Sequence, residues 1–234
     1  MRVWLVFPVL LPLAACVTVH PSVDQACLAN GHCNARPAEP QFLRPHRAER
    51  SGNTLTLFPS AAAPIGLSGD PKICEAGDVP HCALYVLEAD HPKSHTWVVE
   101  QFFYEGSTFL LIDDRSGRRT QLNGMPTFSP DGTRFLVAPF SDENDVGPNN
   151  LEIWRREGDG AVLEWAHPAS AVLAEDPQLP SPYMVTVRRW QGDRIDLILS
   201  TESLAGHQWD GTLTHDINGW HLSAKSPAGL LKRE

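Results

Sequence analysis

The sequence predicts an all-β, antiparallel fold, and three observations carry that prediction. Short runs rich in β-branched and aromatic residues recur from about residue 54 onward, none long enough for a typical helix. Turn-forming pairs separate them: Ser116-Gly117, Asp131-Gly132, Asp159-Gly160, Gly192-Asp193 and Asn218-Gly219 each allow a positive φ or an Asx turn. The 234 residues also hold 17 Gly and 20 Pro, a turn-rich composition that disfavours a helical bundle.

The first element in the chain is a processing signal. After Met1 and Arg2 the run from Val3 to Ala15 is apolar throughout, the layout of a secretory signal peptide. It is too short to span a bilayer as a helix, and Pro8 and Pro12 each remove a backbone donor. Its end, Leu13-Ala14-Ala15-Cys16, resembles the lipobox of bacterial lipoproteins. That resemblance implies removal of residues 1–15 and acylation of Cys16, with palmitate-type chains holding the mature N-terminus on a membrane. Val17 stands where enteric lipoproteins kept in the inner membrane carry Asp, so the resemblance further implies the outer membrane, with the protein facing the periplasm.

Four of the five cysteines remain after Cys16: Cys27, Cys33, Cys74 and Cys82. An even number in an exported chain predicts two disulfides, and three pairings are possible. Cys27 with Cys33 and Cys74 with Cys82 are favoured, because each closes a short loop rich in turn formers, around Asn30-Gly31 and Gly77-Asp78. Residues 35–50 hold three prolines and no sustained apolar period, the pattern of an extended arm. The expected organisation is therefore a signal peptide over 1–15, a lipidated tether over 16–52, a β domain over 53–225 and a tail over 226–234.

Within the β domain, strands are expected at 54–58, 83–88, 96–104, 108–112, 133–138, 151–155, 162–165, 185–190, 195–200 and 212–215. Around Val185 to Trp190 and Ile195 to Leu199 the apolar residues largely alternate with polar ones, as in strands with one wet face. The one weak helical window, 168–176, is stopped by Pro177 and Pro180. The hairpin over 126–138, built on Phe128-Ser129-Pro130-Asp131-Gly132, resembles the repeat of TolB-type and WD-like β-propellers. The resemblance implies a structural role: Asp131-Gly132 makes the tight turn, Pro130 pre-sets φ, and Phe128 faces a neighbouring blade. Asp131, Asp159, Asp193 and Asn218 lie 28, 34 and 25 residues apart, less regular than the ~40 to 45 of one blade. A β-propeller-like domain is the expectation, and an irregular β-sandwich the alternative.

Motifs for chemistry are few. The sequence contains no Gly-x-Ser-x-Gly, His-Glu-x-x-His, Gly-x-Gly-x-x-Gly or Walker-type loop. A formal net charge of −9 opposes nucleic-acid binding, which needs clustered cations. Of ten histidines only His91 and His95 have ligand-like spacing, and Pro92 between them places the pair in a loop. The polar stretch 142–150 departs from a calcium loop at Val146 and Ile153. Trp154, Trp165, Trp190, Trp209 and Trp220 fall on or near strands, where burial between sheets is favoured over sugar stacking. No catalytic residue, metal site or cofactor is expected. The function this supports is a non-enzymatic cell-envelope lipoprotein that presents its β domain to a protein or polymer partner. The alternative is a lipid-anchored periplasmic hydrolase whose site is assembled from separate loops.

Overall fold

The structure, a computed structural model, describes residues 39–76, 78, 81–103, 106–138, 150–168, 184–200 and 208–224. These form four antiparallel sheets. The first contains β1 (Ala48–Ser51), β2 (Thr54–Leu57) and β3 (Ile65–Ser68); the second contains β4 (Leu84–His91), β5 (Thr96–Phe102), β6 (Ser107–Asp113) and β7 (Arg119–Leu122). The third contains β8 (Pro126–Phe128), β9 (Arg134–Val137), β10 (Asn150–Glu157) and β11 (Gly160–Pro168). The fourth contains β12 (Met184–Gln191), β13 (Arg194–Ser200), β14 (Gln208–Asp216) and β15 (Gly219–Ala224). Every sheet is a meander in which strands consecutive in the chain are neighbours.

The sheets pack face to face in chain order. Ala48, Leu55, Leu57 and Leu67 of the first meet Leu87, Trp97, Val99, Leu110 and Ile112 of the second. The opposite face of the second sheet offers Ala89, Val98, Leu111 and Leu122 to Phe135 and Val137 of the third. Leu136, Leu151 and Ile153 of the third then meet Trp190, Ile195, Leu197, Leu213 and Trp220 of the fourth. The two inner sheets are covered on both faces. The central strands of the second sheet accordingly hold apolar runs, Trp97-Val98-Val99 and Leu110-Leu111-Ile112.

Three β-bulges break the ladders. The register shifts between Leu87 and Ala89 and between Val187 and Arg189, leaving Glu88 and Arg188 as the extra residues. In the third sheet Ile153 faces Trp165 while Trp154 faces Leu163, so Glu164 is the extra residue of β11.

One expectation needs correction. The tether does not run to residue 52: Glu39 is fully buried, Arg44 bridges Ala48, and β1 pairs with β2 from Ala48 opposite Leu57. Proline punctuation hides this strand, because its pairing partner lies beyond a turn and its own four residues carry one apolar side chain. A one-turn helix at Pro71–Glu75 is also new. Asp70 caps it by accepting from the Lys72 N–H at 3.0 Å, and Pro71 fits the first helical position. Cys74 on that turn is bonded to Cys82, the expected pairing. The signal segment 1–15, Cys16, Cys27, Cys33, residues 142–149 of the polar stretch, residues 169–176 of the helical window and the tail 226–234 lie outside the described residues.

Candidate functional site: the charged turn edge

In each four-stranded meander the turns after the first and third strands fall at the same end. Contacts between sheets align those ends into one edge. The Ser60 and Ala61 N–H groups donate to the Asp114 and Arg115 carbonyls at 2.9 Å, joining the β2–β3 loop to the β6–β7 turn. Arg118 reaches Asp159 at 2.9 Å and Arg115 reaches the Gly158 carbonyl at 3.3 Å, joining that turn to the β10–β11 turn. Arg134 lies 4.0 Å from Asp193 of the β12–β13 turn. Several ion pairs of the described residues lie along this edge.

At the first junction Arg47 lies between two carboxylates. Its guanidinium donates to Asp90 at 2.6 Å and to Asp114 at 2.9 Å, and sits 5.1 Å above the Trp97 ring. The hydrogen bonds to Asp90, then those to Asp114, raise the Arg47 pKa against the opposing effect of burial. His95 Nδ1 lies 3.2 Å from the other Asp114 oxygen, and its left-handed backbone (φ 51) turns the chain from the short 3-10 turn into β5. The hydroxyl of the preceding Ser94 is engaged with Thr96 Oγ1 at 2.9 Å.

At the second junction the buried Asp113 carboxylate accepts from the Arg115 and Ser116 N–H groups and from Arg156 of β10 at 3.1 Å. Burial pushes its pKa upward, but these hydrogen bonds outweigh it and hold the group below the usual carboxylate range. At the third junction the bulge aims Glu164 at two arginines. Arg134 and Arg155 each donate to one of its oxygens at 2.8 Å. Burial opposes ionisation of Glu164, yet Arg134 and the other donors lower its pKa. Trp220 donates to Glu164 at 3.4 Å and lies 6.0 Å beneath the Arg134 guanidinium.

The 126–138 hairpin belongs to the same edge. Asp131 accepts from the Ser129 hydroxyl at 2.6 Å and from the Thr133 N–H at 3.0 Å, which lowers its pKa. Gly132 has φ 71, and a Cβ there would meet Ser94 Cβ at 3.2 Å, so the turn is seated on the β4–β5 turn of the preceding sheet. Phe128 is half-buried, 4.5 Å from the His91 ring and 5.4 Å from Phe135. Asp131 and Gly132 thus close the turn and seat it on its neighbour, with Phe128 packed beside His91.

His91 packs on Phe128 and His95 bonds Asp114. Among the described residues no group of three His, Cys, Asp or Glu converges as a metal set. Trp190, Trp209 and Trp220 are buried, Trp154 stacks on Phe135, and Trp165 packs against the core between the third and fourth sheets. Sequence reasoning missed Arg47, Glu164 and Arg156. Arg47 and Arg156 meet partners 43 or more positions away, and Glu164 joins Arg155 of its own hairpin to Arg134, 30 positions back; the local signal was the recurrence of Asp and Arg beside turn glycines. No known family matches the chain, and no curated protein or solved structure is similar to it.

Proposed function

We propose that the protein is a lipid-anchored lipoprotein of the bacterial envelope, held by Cys16 on the outer membrane and facing the periplasm, whose β domain presents a rigid surface to a protein or polymer partner. In this reading the four meanders are arranged as blades of a propeller-like array. The observation that supports it is the way the turn edge uses its charges. Arg47, Arg156 and Arg134 each tie one sheet to the next through carboxylates, which makes the edge a stiff scaffold. A preorganised surface loses little conformational entropy on binding.

The hydrolase alternative draws on one observation, the His95–Asp114 pair with its half-exposed imidazole. The two readings separate in one experiment. Membranes carrying the full chain are crosslinked and the partner captured, with wild type, Cys16→Ser and His95→Ala side by side. The scaffold reading expects a capture product that His95→Ala retains and that Cys16→Ser loses as the protein leaves the membrane or stays as precursor. A Cys16→Ser protein that is cleaved and fractionates as wild type overturns the anchor. Loss of a hydrolytic activity in His95→Ala, with capture unchanged, would favour the enzyme.

A further inference from the structure

Three of the sheets have four strands and the first has three. Ahead of β1 the chain instead makes a tight turn, in which Arg44 and Ala48 bond each other's backbone in both directions at 2.9 Å. Before that turn, Glu39–Gln41 forms a single 3-10 turn, and Glu39 is fully buried. The Arg50 guanidinium holds its carboxylate through two hydrogen bonds, one of 2.7 Å and one of 2.5 Å.

This ion pair is seated on the backbone of β4. Among the described residues the strand has β5 on one side and no strand on the other. In an antiparallel pair alternate residues turn their N–H and C=O away from the partner. Leu87 donates its N–H to Glu39 Oε1 at 2.8 Å, and the Tyr85 carbonyl accepts from Arg50 Nη2 at 2.7 Å. A carboxylate oxygen and a guanidinium N–H therefore meet the β4 edge in the sense that the C=O and N–H of an added strand would. The edge so covered is Leu84-Tyr85-Val86-Leu87, an uncharged apolar run with nothing to repel a second copy of itself. The bulge at Glu88 ends its regular stretch.

We propose that Glu39 and Arg50 form a strap that stands in for a strand on this edge of β4 and keeps it from pairing with a second copy of the chain. The polarity of the pair is essential: Glu39 accepts at Leu87 and Arg50 donates at Tyr85. An inverted pair carries the same charges in the wrong hydrogen-bonding sense.

Amide hydrogen exchange and concentration-dependent crosslinking of the full chain test the strap in wild type, E39A and the inverted variant E39R/R50E. The Leu87 amide is expected to exchange at least tenfold faster in both variants, with crosslinked dimer rising with concentration. Wild-type protection and a monomer in E39R/R50E would show that only the charges matter and would overturn the proposal. Where a variant does not fold, the wild-type protein decides. In low urea the Leu87 and Ala48 amides should exchange in one opening, ahead of the β5 amides. Leu87 exchanging only together with β5 would overturn the strap equally.

Discussion

The second sheet and the fourth have the same strand number, the same order and the same antiparallel hairpins, yet they bury their residues differently. The second packs on neighbours with both faces, and Trp97, Val98 and Val99 are all fully buried. The fourth buries Trp190, Ile195, Leu197, Leu213 and Trp220 on one face, while Thr186, Arg188, Asp210, Thr214 and His221 of the other are exposed. The difference is one of position in the stack. An inner sheet has no wet face and needs no polar alternation, whereas a sheet with one wet face keeps the two-residue period. Charge follows the same rule. Arg156 and Asp113 lie 11% and 0% exposed across a junction, while Arg188 and Asp210 lie 54% and 76% exposed on the outer face.

The largest expected effect comes from opening the inner interface. Phe135 is fully buried between the second and third sheets, and Phe135→Ala should cost about 3–5 kcal/mol through the cavity it leaves. Urea denaturation of the full chain reads this as a lower midpoint at unchanged slope. A loss below roughly 1 kcal/mol would mean that the interface collapses around the vacancy and is less closely packed than the buried contacts imply.

Next come the matched ion pairs. Arg156→Met removes a charged donor from Asp113, which keeps its Arg115 and Ser116 partners, for an expected cost of roughly 1.5–3 kcal/mol. Arg188→Met should cost about 0–1 kcal/mol, because both of its charges are solvated. Equal costs in paired melts would break the distinction between junction and outer face.

The turn glycines sharpen the comparison further. Gly132→Val should cost about 1–3 kcal/mol, since the β-branched side chain meets both a positive φ and Ser94 of the neighbouring sheet. At Gly158, also at positive φ, a new Cβ meets nothing within 4 Å, so Gly158→Ala should cost only the backbone strain, about 1 kcal/mol. A Gly132 variant no worse than the Gly158 variant would show that the 126–138 hairpin is not seated on the second sheet.

The pH effect near neutrality should belong to His91 at the inner interface. Burial lowers the His91 pKa below its ordinary 6.5, against a smaller upward pull from Asp90. The unfolded chain therefore takes up this proton first, and stability falls as pH drops below about 6.5, levelling off once the folded-state value is passed. The depressed carboxylates Asp113 and Glu164 act in a separate, more acidic window: their contribution is present above their ordinary pKa and is lost as pH falls through the lowered folded values. His91→Phe should flatten the upper window and leave the lower one unchanged. A wild-type slope persisting in that variant would assign it to another histidine. The smallest effect is expected from Thr186→Val on the outer face, within about 0.5 kcal/mol in the same melts.

The strands that were legible beforehand are those with clustered β-branched, aromatic or alternating residues, among them the four-residue β2 and β9, whereas the six-residue β15 was missed. Residues 96–104, 151–155, 185–190 and 195–200 carry enough β-branched, aromatic and alternating positions to be recognised alone, and β5, β10, β12 and β13 lie there. β1, β3 and β7 have four residues each, with few apolar side chains, so their identity comes from the partner strand. At the candidate site the Asp131-Gly132 turn was legible because its bonds close within a few residues. Arg47 was not, because its partners Asp90 and Asp114 lie 43 and 67 positions away.

By itself the sequence determined what short-range physics controls: where the chain turns, which runs extend, which cysteine bridges its near neighbour, and which strands keep a wet face. The tertiary structure decided which sheets are neighbours and which charges are buried. Removing Glu39 from water is favourable only when Arg50 and the Leu87 N–H, 11 and 48 positions along the chain, arrive together to replace the lost hydration. No local pattern encodes that coincidence, and folding alone supplies it.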